Sequence, residues 1–162
     1  MKKIMICLLA LIILLSMSAC SKKEVKTADS ETVVEDAQSE PIALSEKEQI
    51  EKILNDRITE EYSKTDIDRI TINDDLGTEE DGDYIALVYL TWNVKNSGKT
   101  SKEMLELYSS DLAATLAKSN DTVKGLAIFW TVPYLDDSAK CSYERTANGF
   151  AKSDMQWGKS FQ

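Results

Sequence analysis

Six carboxylates fall within ten residues, at Asp74, Asp75, Glu79, Glu80, Asp81 and Asp83, and hard cations such as calcium take several such oxygens at once. The spacing does not serve that chemistry. An EF-hand type of loop needs ligands at alternate positions, a glycine at the sixth and a bidentate Glu at the twelfth, and no frame of this segment supplies all three. The segment reads as a solvated hairpin turn, in which Asp74, Asp75, Asp81 and Asp83 are the acids a metal would have to use. A paired-carboxylate hydrolase is a weaker fit still, because no acid here is flanked by apolar sequence that would raise its pKa.

The chain contains no histidine, which removes Ser-His-Asp and Cys-His nucleophiles, His-ligated metals and the commonest general base near neutral pH. Three cysteines are present, at positions 7, 20 and 141. Without a histidine to take its proton, Cys141 reads as a small buried apolar residue. Six glycines in the chain form no phosphate-cradling loop or dinucleotide fingerprint. With 28 Asp and Glu against 19 Lys and Arg, the net charge of -9 argues against nucleic acid, whose phosphates need clustered cations. No catalytic residue emerges, and no cofactor is implied by these types.

Lys2 and Lys3 precede an unbroken apolar run from Ile4 to Leu15, followed by the small residues Ser16 to Ala19 and then Cys20. Crossing a bilayer takes about 20 apolar residues, so this run has the dimensions of a signal peptide and not of a spanning helix. Leu15-Ser16-Met17-Ser18-Ala19-Cys20 resembles the lipobox of bacterial lipoproteins, with Met17 standing where that family usually has Leu, Val or Ile. The resemblance covers residues 1–20. It implies cleavage after Ala19, a diacylglyceryl thioether on Cys20 as the sole covalent group, and placement on the extracytoplasmic face of the cell membrane. Residues 1–19 are then the signal peptide. The competing readings are an ordinary secretory signal with an incidental cysteine, or an uncleaved anchor. If the lipobox holds, Cys141 is the one thiol remaining and no intramolecular disulfide forms.

Residues 20–44 comprise that cysteine and a stretch rich in Ser, Thr, Glu, Asp, Lys and Ala that has no aromatic residue and ends near Pro41. Such a composition cannot bury enough surface to offset its chain entropy, so it reads as a flexible acidic tether with a reach on the order of 25 to 30 Å. Its negative charge offers an anionic membrane nothing, which leaves anchorage to the lipid.

Residues 45–162 form one domain with a net charge of -8. Ser45-x-x-Glu48 is a capping box, and Ile50, Ile53, Leu54, Ile58 and Tyr62 recur at helical spacing, which predicts a helix over 46–63. Arg57 and Glu61 lie four apart on its flank as a solvated pair. Alternation predicts strands at 66–73 and 83–94 joined as a hairpin. A second helix follows, opened by Thr100-x-x-Glu103 and carrying Met104, Leu105, Tyr108, Leu112 and Leu116 on one face. Strands at 123–134 and 139–146 come next, with a fifth short strand or docked tail at 150–157. The fold class is α+β: two helices on one face of a four- or five-stranded antiparallel sheet, in the order helix-hairpin-helix-hairpin. Ile67, Ile70 and Ile72 match Val123, Leu126 and Ile128 at a shift of 56, a hint of internal repetition.

The second and third strands are apolar or aromatic on both faces. If the helices cover one, the other presents Tyr89, Thr91, Phe129 and Thr131 to solvent as a shallow binding face of aromatics and hydroxyls. The rival expectation is that this face is covered by the C-terminal segment with Phe150, Trp157 and Phe161, or by a second copy. The sequence therefore points to a lipid-anchored, non-enzymatic interaction module of the bacterial envelope, held to the membrane by its lipid and binding an envelope protein or wall component. A calcium-dependent secreted hydrolase, and an immunity or inhibitor protein whose acidic surface blocks a basic cleft, are the alternatives.

Overall fold

The computed structural model describes residues 43–162, apart from 76 and 78–81, within a compact unit spanning Glu40–Gln162. Cys20, the signal segment, the tether up to residue 42, and Glu79, Glu80 and Asp81 of the acidic segment lie outside the described residues.

α1 (Glu46–Glu61) opens on the expected capping box, with the Ser45 side chain accepting from the Glu48 amide and the Glu48 carboxylate accepting from the Ser45 amide at 2.7 Å. Its Ile50, Leu54 and Ile58 are fully buried. The chain then forms β1 (Thr65–Asp74), β2 (Tyr84–Trp92), α2 (Gly98–Ser119), β3 (Val123–Val132), β4 (Asp137–Thr146) and β5 (Gly149–Trp157). α2 is capped by Ser97, whose hydroxyl accepts from the Thr100 amide at 3.2 Å, so the helix begins before the Thr100-x-x-Glu103 box. β3 stops at Val132 because Pro133 opens a short 3-10 turn that ends at left-handed Asp136.

The α+β class holds, but the sheet is mixed and not antiparallel throughout. Its five strands lie in sequence order, and β2 pairs β3 in parallel while the other three pairings are antiparallel. The element order is helix, hairpin, helix and a three-stranded meander. The physical reason is length. The 22 residues of α2 span about 33 Å, as do the ten residues of β3 at about 3.3 Å each, so the helix returns the chain to the end of the sheet where β2 began.

The same arrangement rules out a repeat of the αββ unit. Placing β1-β2 on β3-β4 reverses strand direction while keeping lateral order, which requires turning the sheet over. α1 and α2 would then cover opposite faces, whereas both bury their apolar stripes in one core with Ala86, Val88, Leu90, Leu126, Ile128, Cys141 and Tyr143. The core is closed at the C-terminus by Phe161, itself buried, in a turn docked against Gly98 and Asp137.

A cross-strand ladder on the open face

β2 and β3 run parallel with Tyr89 opposite Phe129 and Thr91 opposite Thr131, so the four residues expected at the binding face are neighbours. The alternation that buries Val88, Leu90, Ile128 and Trp130 forces these four to the other side. The C-terminal segment does not cover them. Trp157 lies opposite inward-facing Ala139 and packs edge-on against buried Phe161, with ring centroids 5.4 Å apart. Phe150 packs against the core under the Arg145 guanidinium.

On this face the Tyr89 and Phe129 rings stack at 4.6 Å with an interplanar angle of 8°. The Arg69 guanidinium lies over the other face of the ladder, 4.2 Å from the Tyr89 centroid, a cation–π contact. Thr91 donates to Asp68 at 2.8 Å. Asp68, Arg69, Tyr89, Phe129 and Thr131 together line a shallow cavity of about 320 Å³. A neighbouring cavity of about 400 Å³ lies toward β4 and β5, lined by Phe129, Thr131, Ser138, Lys140 and Gln156 among others. Lys140 leans away from Phe129 to pair with Asp154 at 3.3 Å.

Asp68 and Arg69 were not among the residues expected at this face. The register steps from Ile67–Leu90 to Arg69–Tyr89, which leaves Asp68 unmatched as a bulge. Alternation counted from Ile67 would send Arg69 into the core, whereas counted from Ile70 and Ile72 it sets Arg69 on the opposite side. The bulge sends it to the open face and lets Ile67 and Ile70, three residues apart, both pack on the core. That odd spacing of two isoleucines was the available signal.

Asp74, Asp75 and Asp83, the described acids of the segment, are each engaged separately. Asp74 holds Lys47 at 2.9 Å, Asp75 accepts from the Gly77 amide at 3.0 Å, and Asp83, nearly buried, pairs with Lys124 at 3.3 Å. Among the described residues no three acidic or thiol side chains converge where they could hold a metal ion. Arg57 does meet Glu61 at 3.5 Å, but its closer partner is Asp111 of α2, bound through two hydrogen bonds of 2.8 and 2.7 Å. Arg57 holds the Asp111 carboxyl below its usual range, and Tyr62, lifted by burial, bonds the same carboxylate at 2.8 Å. This node ties α1 to α2. Burial raises the Cys141 thiol as well, which disfavours its thiolate.

A cavity of about 580 Å³ between α2 and the β4–β5 hairpin is lined by Lys118, Arg145 and Lys152, of which the last two are committed elsewhere. Arg145 donates to the carbonyls of Ala117, Asn120 and Val123, closing the end of α2, and Lys152 faces Glu106 at 3.6 Å. Among the described residues no helix is long and apolar enough to cross a membrane. No protein-family model, curated protein or solved structure matches this chain.

Proposed function

We propose that this chain is a lipid-anchored, non-enzymatic binding module of the bacterial envelope, tethered through Cys20 on the extracytoplasmic face, whose domain recognises an envelope protein or wall component. The observation that carries the binding half is the open face. Two aromatic rings and a row of hydroxyls stand on the central strands, with a guanidinium reaching over them from the edge strand β1, where no described segment covers them. A stacked aromatic pair left at the surface forgoes the burial that about 1.5–3 kcal/mol per large apolar side chain would favour, and aromatics and Arg are the types that concentrate binding energy at interfaces. The anchoring half rests on the lipobox resemblance and the acidic tether.

Cross-linking capture from the native envelope fraction tests the binding half, with a Tyr89→Ala/Phe129→Ala variant of unchanged melting temperature as control. A partner held by the parent and lost by the variant is the expected result; a partner held equally by both would reject the face. Fatty-acid labelling that persists in Cys20→Ser would reject the anchor.

A further inference from the structure

We infer that the cavity on the open face is a site for a zwitterionic ligand of the free amino acid or short peptide class, with Arg69 taking the carboxylate and Asp68 the ammonium. The inference rests on the reading that this face binds. It is carried by two side chains of opposite charge that the β1 bulge delivers to one side of the sheet. Bulges interrupt the ladder and re-aim side chains, and they are enriched beside functional sites.

Neither charge is neutralised by a partner among the described residues. Among the described residues Arg69 makes no ion pair or hydrogen bond; its guanidinium lies against the Tyr89 ring, which leaves the donor fork unused. The other two arginines are both committed, Arg57 to Asp111 and Arg145 to backbone carbonyls. Asp68 accepts from Thr91 through Oδ2 and meets no cation, Arg69 included. Thr131 and the Tyr89 hydroxyl, likewise without hydrogen-bond partners among the described residues, complete the lining.

The charge pattern selects the ligand. A carboxylate forks onto a guanidinium in two parallel hydrogen bonds, which an ammonium point charge cannot do. A purely anionic ligand would meet Asp68 and a domain of net charge -8. A purely cationic one would meet Arg69. A molecule bearing both groups satisfies both residues and is not repelled by the domain. A volume of about 320 Å³ lies at the small end of ligand cavities and suits one or two amino-acid residues.

The probe is the dipeptide Ala-Ala, compared with N-acetyl-Ala-Ala, which lacks the ammonium, and Ala-Ala-amide, which lacks the carboxylate. Each is titrated into the full chain and followed by backbone amide shifts of β1–β3. The expected result is saturable binding of Ala-Ala with a roughly millimolar dissociation constant, weakened about tenfold by either cap. Arg69→Gln then binds Ala-Ala and its amide alike while still discriminating against the acetylated form. Asp68→Asn shows the converse. A merely structural role for either residue would weaken all three probes together, and that outcome overturns the assignment. So does equal binding of the three by the parent, or no binding at roughly 20 mM, where a millimolar site is filled. If the Tyr89→Ala/Phe129→Ala variant loses a captured partner while Ala-Ala does not bind, the ligand class falls and the binding face stands.

Discussion

Ser101 and Ser109 lie two turns apart on α2, and both have no exposed surface, yet the same substitution should move stability in opposite directions at the two positions. Ser109 accepts the indole N–H of buried Trp130 at 2.9 Å. The hydroxyl of Ser101 is buried without a partner. Ser→Ala gains about 0.5 kcal/mol of helix propensity at each site, a term that cancels in the comparison. At Ser109 the change orphans the Trp130 N–H, at a cost of about 1–3 kcal/mol, for a net loss of roughly 1.5. At Ser101 it deletes an orphaned hydroxyl whose burial costs about 1 kcal/mol, which with the propensity term makes a net gain of roughly 1.5. Urea unfolding of the two variants, followed by tryptophan fluorescence at pH 7, should therefore place them about 3 kcal/mol apart, with Ser109→Ala the less stable. Equal shifts of the same sign would refute the argument that hydrogen-bond satisfaction, and not burial, sets the cost of a core serine.

Cys141 should resist thiol reagents in the folded chain, because its thiol is buried and raised; labelling should follow global unfolding, and rapid stoichiometric reaction in native buffer would contradict this. Gly98→Ala should lower the melting temperature and expose the last residues to carboxypeptidase, since a Cβ there would lie 1.8 Å from the Ser160 carbonyl oxygen and the turn carrying Phe161 would have to move. Asp111 is held below its usual value of 3.8 chiefly by the Arg57 hydrogen bonds, and Asp137 by the Ser160 and Ser138 amides. A depressed carboxylate stabilises in full above its unfolded pKa and loses that contribution as pH falls through the folded value. The parent should thus lose stability below about pH 4 more steeply than Asp111→Asn or Asp137→Asn. Melting curves from pH 7 to the acid limit that stay parallel for parent and variants would contradict the linkage.

Much of the fold was legible because periodicity and burial agree locally. Ile50, Leu54 and Ile58 mark α1, and the alternation of Val88, Leu90, Ile128 and Trp130 against Tyr89, Thr91, Phe129 and Thr131 separates the core face from the open face before any strand is paired. The Arg57–Asp111 pair was not legible, because nothing in the sequence between α1 and α2 signals which acid will face Arg57 once the helices pack. The local i,i+4 neighbour Glu61 was the visible candidate and is the longer contact.

By itself, then, the sequence determined the secondary elements, the two-faced central strands and the absence of histidine chemistry, since these follow from residue type and nearest-neighbour spacing. The tertiary structure decided the parallel pairing of β2 with β3, because α2 is long enough to return the chain across the whole sheet. It also decided that Arg69 stands beside Tyr89. One unmatched residue in β1 shifts every later side chain of that strand to the other face, and whether a strand bulges depends on which register lets its isoleucines reach a core built from distant parts of the chain.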